Sequence, residues 1–154
     1  RRNNYTVICA PFEADHQFVA LQNQDIIDGA WSVDTDLVGQ GIKRVIKSMT
    51  KEGKIKAMMY HLLINHTLPK HFGRPNIPIN QEDLRLFCCM LGNDYVRKGK
   101  KGEGPVRCSE RMKQYLSKNS AEEKRQYISG YQQEHDTPQK FGKALFAWQH
   151  ASAY

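Results

Sequence analysis

Residues 7–36 read VICAPFEADHQFVALQNQDIIDGAWSVDTD, and the rest of the chain takes its meaning from them. Two acidic pairs, Glu13 with Asp15 and Asp34 with Asp36, each follow a short apolar run. The run at 5–10 is apolar and β-branched, which predicts a buried strand ended by Pro11. Glu13 then opens a helix with Phe18, Val19 and Leu21 on its apolar side. Residues 23–28 turn the chain, and 29–33 (GAWSV) predict a second buried strand, with Trp31 in the core and Asp34 at its end. Strand, helix and strand with short connections are the pattern of a parallel α/β sheet.

Further along, residues 43–49 alternate basic and apolar side chains, KEGK at 51–54 signals a turn, and 55–59 return as a strand. That is a hairpin at a sheet edge. Residues 64–79 hold Pro69, Gly73, Pro75 and Pro78 and read mostly as loop. Asn80 is placed to cap a helix over 81–91, with Leu84, Phe87, Cys88 and Leu91 on one side. Gly92 ends it and Asp94 follows at once. Residues 99–104 are rich in glycine and lysine, Pro105 can open a helix to about 116, and 121–133 and 139–149 predict two more.

A length of 154 residues suits one domain, or one domain with a small appendage, and 40% apolar composition supports a real core. No apolar run approaches the roughly 20 residues of a membrane span. The opening RRNNYT has no signal-peptide pattern, and a start almost directly on a strand suggests a piece of a longer protein. None of Cys9, Cys88, Cys89 and Cys108 sits in a C-x-x-C pair, which favours reduced, buried thiols and an intracellular setting.

The net charge of +7 is unevenly spread. Residues 1–40 carry six acids against two arginines, whereas 97–125 carry ten bases against four acids. An acidic focus and a basic band suit a nucleic-acid enzyme in which the acids hold metal and the band holds phosphates. Magnesium is a hard cation held by a few carboxylates and water, and two such ions can stabilise the attacking and leaving oxygens of a phosphoryl displacement. Asp34 and Asp36 share a face if the strand is still extended there, and in open α/β sheets ligands bind beyond the carboxyl ends of strands. Spacing alone favours the plainer alternative of helix caps and exposed turn residues: Glu13 and Asp15 in a first turn favour the helix dipole without any metal.

Four motifs in order, APFEAD, SVDTDLVGQGIKRVIK, INQEDLRLFCCMLGNDYV and KGEGPVR, resemble the internal nuclease region of the flap endonuclease/XPG family of structure-specific 5′ nucleases. The likeness is nearest to the exonuclease-1 type and covers about residues 5–116. It implies an α/β fold: a parallel-sheet, PIN-like 5′ nuclease core over 1–96, then a helical, helix–hairpin–helix DNA-binding segment over 97–154. It also implies that Glu13, Asp15, Asp34, Asp36 and Asp94 are catalytic and bind two Mg²⁺ or Mn²⁺ ions. Gly102, Glu103, Gly104 and Pro105 match the family's G-x-G-P turn, where backbone groups hold a potassium ion and duplex phosphates. Lys100, Lys101, Arg107 and Arg111 flank that turn and add charge, and Gly102 and Gly104 let backbone N–H groups approach phosphate. The implied partner is branched or duplex DNA with a 5′ end, in the nucleus or in mitochondria.

Three departures stand out. Val33 replaces a usual glutamate, His16 replaces a small residue, and the loop before GEGP is unusually lysine-rich. The family's N-terminal nuclease region, with two further aspartates and the helical arch, is not in this sequence. Missing sequence or a partner chain is therefore expected to complete the site, and this piece alone is expected to cleave poorly. A non-catalytic nucleic-acid-binding or scaffold member and a 5′ ribonuclease stay open as alternatives. His61, His66 and His71 have neither a zinc nor a helical-face spacing and read as surface or loop residues. Ser109, Cys108 and the histidines show no nucleophile–base signature. Tyr95 is compatible with either the core or the substrate.

Overall fold

The computed structural model describes residues 5–10, 14–34, 36–93, 96 and 99–150, the last four by backbone alone. Helix α1 (Ala14–Asn23) leads to the short strand β1 (Ala30–Trp31) and the one-turn helix α2 (Asp36–Gln40). The hairpin β2 (Arg44–Met49) and β3 (Ile55–Met59) follows, completing a three-stranded sheet in the order β1-β2-β3. A helical passage comes next: α3 (Tyr60–Leu62), a π-helical turn (Leu63–Thr67) and α4 (Leu68–His71). Four longer helices close the chain, α5 (Gln81–Leu91), α6 (Pro105–Leu116), α7 (Ala121–Glu134) and α8 (Pro138–His150). The architecture is mixed α/β, with a small sheet and several helices.

The expected parallel pairing exists, but between different strands. Strand β1 runs parallel to β2, with Ala30 opposite Val45 and Trp31 opposite Ile46, and α2 forms the crossover. Residues 5–10, expected as a buried strand, are exposed and irregular, with Tyr5 80% and Val7 83% accessible. A strand needs a neighbour for its backbone N–H and C=O groups, and none of the described strands pairs with this segment. Trp31, expected in the core, is exposed because β1 is an edge strand and alternation turns Ala30 inward and Trp31 outward.

The hairpin is as the sequence predicts: β2 and β3 are antiparallel, with a register shift between Ile46 and Ser48. Residues 64–79 are more helical than expected, because Pro69 sits at the start of α4, where its missing N–H is not needed. Ile79 N–H then returns to Ile64 C=O at 2.9 Å, tying the end of the following loop back to the π-helical turn.

Helix α5 begins where expected, with Asn80 Oδ1 accepting from Asp83 N–H at 2.7 Å. It is not one-sided. Seven of its eleven residues are buried, including Asp83 and Arg85, because α2, α6 and α8 all pack on it. Leu91, expected on the buried side, is exposed. The buried cluster runs unbroken from Val19 to Ala144, so the sheet region and the C-terminal helices share one core. Among the described residues no helix is long and apolar enough to cross a membrane.

The junction between α7 and α8 is built around His135. Its ring stacks on Phe141 at 5.2 Å and meets Tyr131 edge-on at 6.2 Å. Thr137 N–H donates to Nδ1 at 3.1 Å, so the ring proton sits on Nε2, which is buried and has no hydrogen-bond partner. Burial lowers the imidazole below its ordinary 6.5; Asp136 and Glu103 pull it up and Lys100 pushes it down. Below that ordinary value the unfolded chain takes up a proton the folded ring resists, so stability falls as pH drops. Thermal melts between pH 7.5 and 5.5 should show a loss in the parent that is smaller in His135→Phe.

Candidate functional site

Asp34 sits just past the exit of β1. The strand ends because side chains take over its backbone partners: Ser32 Oγ accepts from Asp34 N–H at 3.0 Å, and Asp34 Oδ1 accepts from Asp36 N–H at 2.9 Å. The second bond is an Asx-type turn that starts α2 and leaves the other carboxylate oxygen of Asp34 outside the turn. Strand β1 ends at Trp31 and Asp36 opens α2, so the two carboxylates do not share a strand face. Lys47 Nζ donates to Val33 C=O at 3.2 Å, fixing the same segment from β2.

Asp15 lies in the first turn of α1. In the last turn, Gln22 is buried, donates from Nε2 to Asp28 C=O at 2.8 Å and accepts from Lys43 N–H through Oε1. Both partners lie just ahead of the parallel strands β1 and β2. Helix α1, about 15 Å long at 1.5 Å per residue, packs on α2 with its other end away from the strand starts. Asp15 stands in the first turn of α1, at the end opposite Gln22.

Helix α2, which Asp36 opens, packs on α5; burial first, and the Asp36 charge after it, raises the thiols of Cys88 and Cys89 there. Asp94 follows that helix but, like Glu13 and Tyr95, lies outside the described residues. Among the described residues no three of His, Cys, Asp and Glu come close enough to hold a metal ion. Asp34 and Asp36 follow the exit of β1 and Asp15 stands in the first turn of α1, and the three form no such group. The donor set suits a hard divalent cation, since all three are carboxylates. Val33 is 83% exposed, so nothing in its burial fixes the apolar side chain there.

The glycine turn before α6 is well defined. Gly102 has φ +78°, a left-handed conformation that a side chain would strain, and Gly104 stands at the N-cap of α6 in extended backbone. Lys101 and Arg107 are exposed, and Arg107 Nη1 donates to Gly102 C=O at 3.0 Å. Lys100 and Arg111 are held differently. Lys100 Nζ lies 2.7 Å from Glu134 and 3.6 Å from Glu103, and Arg111 reaches the same two carboxylates at 3.2 and 3.1 Å. In the sequence Glu103 is only a position in the glycine turn, and nothing marks Glu134 or the ion pairs of either. Their partners are up to 34 residues away, and no local spacing signals the contact.

The bland reading of the histidines is correct in position, since His61, His66 and His71 are all exposed. His71 Nε2 does meet Ser109 Oγ at 2.8 Å, but that hydroxyl donates to Pro105 C=O, also at 2.8 Å. Its single proton is committed to the helix, so the imidazole is the donor and the pair ties α4 to α6 rather than activating a nucleophile. All four cysteines are free, but Cys9, expected to be buried, is exposed because residues 5–10 join none of the described strands.

The XPG I-region family matches residues 4–94, well over half of the chain. The chain belongs to the XPG I-region family. It is 34% identical over 94 residues to exodeoxyribonuclease 1 of Saccharomyces cerevisiae, covering 61% of this chain and 13% of that protein. It is 35% identical over 89 residues to the DNA damage-inducible protein DIN7 of the same yeast, covering 58% of this chain and 20% of that one. Exonuclease 1 of Danio rerio is 31% identical over 98 residues, with 63% of this chain and 11% of the relative covered. This I-region chain therefore spans at most a fifth of the relatives it matches. The acidic residues from Glu13 to Asp94 fall inside the family match, and the glycine turn lies beyond it.

Two outcomes follow for this I-region. Asp34→Ala should lose the Asx-type bond and about 1 kcal/mol of stability, while Asp34→Asn keeps the acceptor and stays within a few tenths in urea titrations. Burial, and after it Asp36, raises Cys88 to about 12, and burial likewise raises Cys89 to about 12. At pH 8 a thiol reagent should therefore label Cys9 first, and mass spectrometry should find Cys88 and Cys89 protected until the protein unfolds.

Proposed function

We propose that this chain is the internal part of a metal-dependent, structure-specific 5′ nuclease that hydrolyses DNA phosphodiesters at flaps, nicks or recessed ends. The observation that carries this reading is the family match over residues 4–94, within which Asp34 and Asp36 stand at the exit of a parallel strand. Exonuclease names among the relatives agree with it.

In this reading Glu13, Asp15, Asp34, Asp36 and Asp94 hold two Mg²⁺ or Mn²⁺ ions, with further ligands supplied by the rest of the protein or a partner chain. Bound there, the ions lower the pKa of water and neutralise charge on the phosphate. The chain's own contribution is positional. Asp34 is fixed by the turn into α2, Asp15 stands in the first turn of α1, and α5 carries the chain to Asp94. Residues 97–154 bind the DNA: the glycine turn accepts phosphates, with a potassium ion at its backbone, and Lys101 and Arg107 supply exposed charge. The setting that suits such an activity is the nucleus.

The test uses the full-length protein carrying this chain, on 5′-flap, nicked-duplex and recessed DNA and on RNA with a 5′ end. Cleavage of DNA with Mg²⁺ or Mn²⁺, and none with a chelator, is expected. Asp34→Asn is the informative variant, because asparagine keeps the turn and removes only the charge. It should lower turnover by at least a hundredfold with DNA affinity within about twofold. Absence of cleavage on every substrate would favour a scaffold role, and cleavage of RNA alone a 5′ ribonuclease.

A further inference from the structure

Four basic side chains surround the glycine turn, yet they fall into two pairs with different surroundings. Lys101 and Arg107 are exposed and outside every ion pair among the described residues. Lys100 and Arg111 are mostly covered, with side chains 19% and 31% accessible, and both lie over the Tyr131 ring at 5.9 and 5.8 Å.

What organises the covered pair is Glu103, whose side chain is only 7% accessible. Its Oε1 accepts from Arg111 Nη2 at 3.1 Å and from Nε at 3.3 Å, and its Oε2 accepts from the Tyr131 hydroxyl at 3.3 Å. Glu134 closes the group from α7 by accepting from Lys100 Nζ and Arg111 Nη2. Two cations and two carboxylates make the cluster neutral, so it adds little to the potential felt by a distant polyanion. A nearly buried carboxylate stripped of its partners is costly, which keeps Lys100 and Arg111 on Glu103. The backbone is tied at the same place: Lys101 N–H donates to Asp136 Oδ2 at 2.7 Å, and Glu103 N–H to Lys100 C=O at 2.9 Å.

We infer that Glu103 is a positioning residue for DNA binding: its carboxylate fixes the turn at 100–104 against α6 and α7, and Lys100 and Arg111 act through it rather than on phosphate. The inference rests on the reading of this turn as a DNA contact, and it divides the labour within it. Phosphate is met by Lys101, Arg107 and the backbone of the turn. The glutamate, an acid at a polyanion site, serves binding by shape.

The sign of one substitution separates shape from charge. Glu103→Gln removes a negative charge beside DNA, so electrostatics alone would tighten binding, whereas loss of the turn's anchor weakens it. In the full-length protein, affinity for a fluorescent nicked duplex is measured without divalent metal across a range of salt, with circular dichroism confirming the fold. Glu103→Gln should weaken binding at least fivefold with an unchanged slope of log affinity against log salt. Lys100→Ala and Arg111→Ala should do the same, while Lys101→Ala and Arg107→Ala should each flatten the slope by about 0.9. Should Glu103→Gln not fold, Glu134→Gln at the exposed end of the cluster takes its place with the same expected sign. Equal or tighter binding by the glutamine variant overturns the inference, as do slopes that Lys100→Ala and Arg111→Ala flatten like Lys101→Ala. If Lys101→Ala and Arg107→Ala leave both affinity and slope unchanged, the DNA reading of the turn fails as well.

Discussion

The burial of α5 on nearly every side is the constraint on which the remaining structure depends. Its apolar side chains Leu84, Leu86, Phe87 and Met90 are each covered, and a core residue of that size contributes roughly 1.5–3 kcal/mol on leaving water. That coverage comes from α2 on the side of the acidic residues and from α6 and α8 on the side of the basic turn. Burial also encloses Asp83 and Arg85, which need partners. Lys124 lies 3.9 Å from Asp83, and the carboxylate raises the Tyr115 hydroxyl, after burial itself. Tyr60 lies close enough to Arg85 to oppose electrostatically the lowering that burial imposes on it. Helix α5 is thus packed both by the helix that Asp36 opens and by the helix that the glycine turn opens.

What could be read from the sequence was what local chemistry decides. Asn80 before 81–91, Pro105 after Gly104 and the KEGK turn each place a cap or a reversal within a few residues of its cause, and each stands where its pattern puts it. The misplaced parts depend on neighbours. Residues 5–10 have the composition of a strand but no described strand beside them, and Trp31 is apolar on the uncovered side of an edge. The acidic doublet at Asp34 and Asp36 was visible as a motif, but not its geometry, because Asp36 already belongs to α2 and bonds back to the Asp34 side chain. Glu103 was invisible as a structural centre, since Arg111, Tyr131 and Glu134 reach it from two later helices.

The uneven charge distribution takes on a different meaning in three dimensions. In sequence, 97–125 is a continuous basic band, yet part of that charge is spent on folding. Lys100 and Arg111 neutralise Glu103 and Glu134, Lys124 faces Asp83 and lies 4.9 Å from the Tyr115 ring centre, and Lys118 lies 5.9 Å from that of Tyr127. Cation–ring contacts of this kind contribute about 0.5–1 kcal/mol when exposed and more when desolvated. The charge left for a partner is concentrated on fewer residues than composition suggests.

Gly29 shows how tightly the acidic segment is tied to the sheet. A β-carbon there would lie 2.9 Å from the Arg44 carbonyl oxygen, so β1 approaches β2 as closely as only a bare backbone permits. That contact locks Ala30 opposite Val45. In a pleated strand a slip of one position exchanges the two faces, bringing Trp31 inward and turning Ala30 out. The same slip would carry Val33, and the turn at Asp34 behind it, off the Lys47 ammonium that holds this segment from β2. The segment from 29 to 34 therefore behaves as a ruler with no tolerance for insertion or deletion, whereas the exposed turn at 51–54 can change length without moving Asp34 or Asp36.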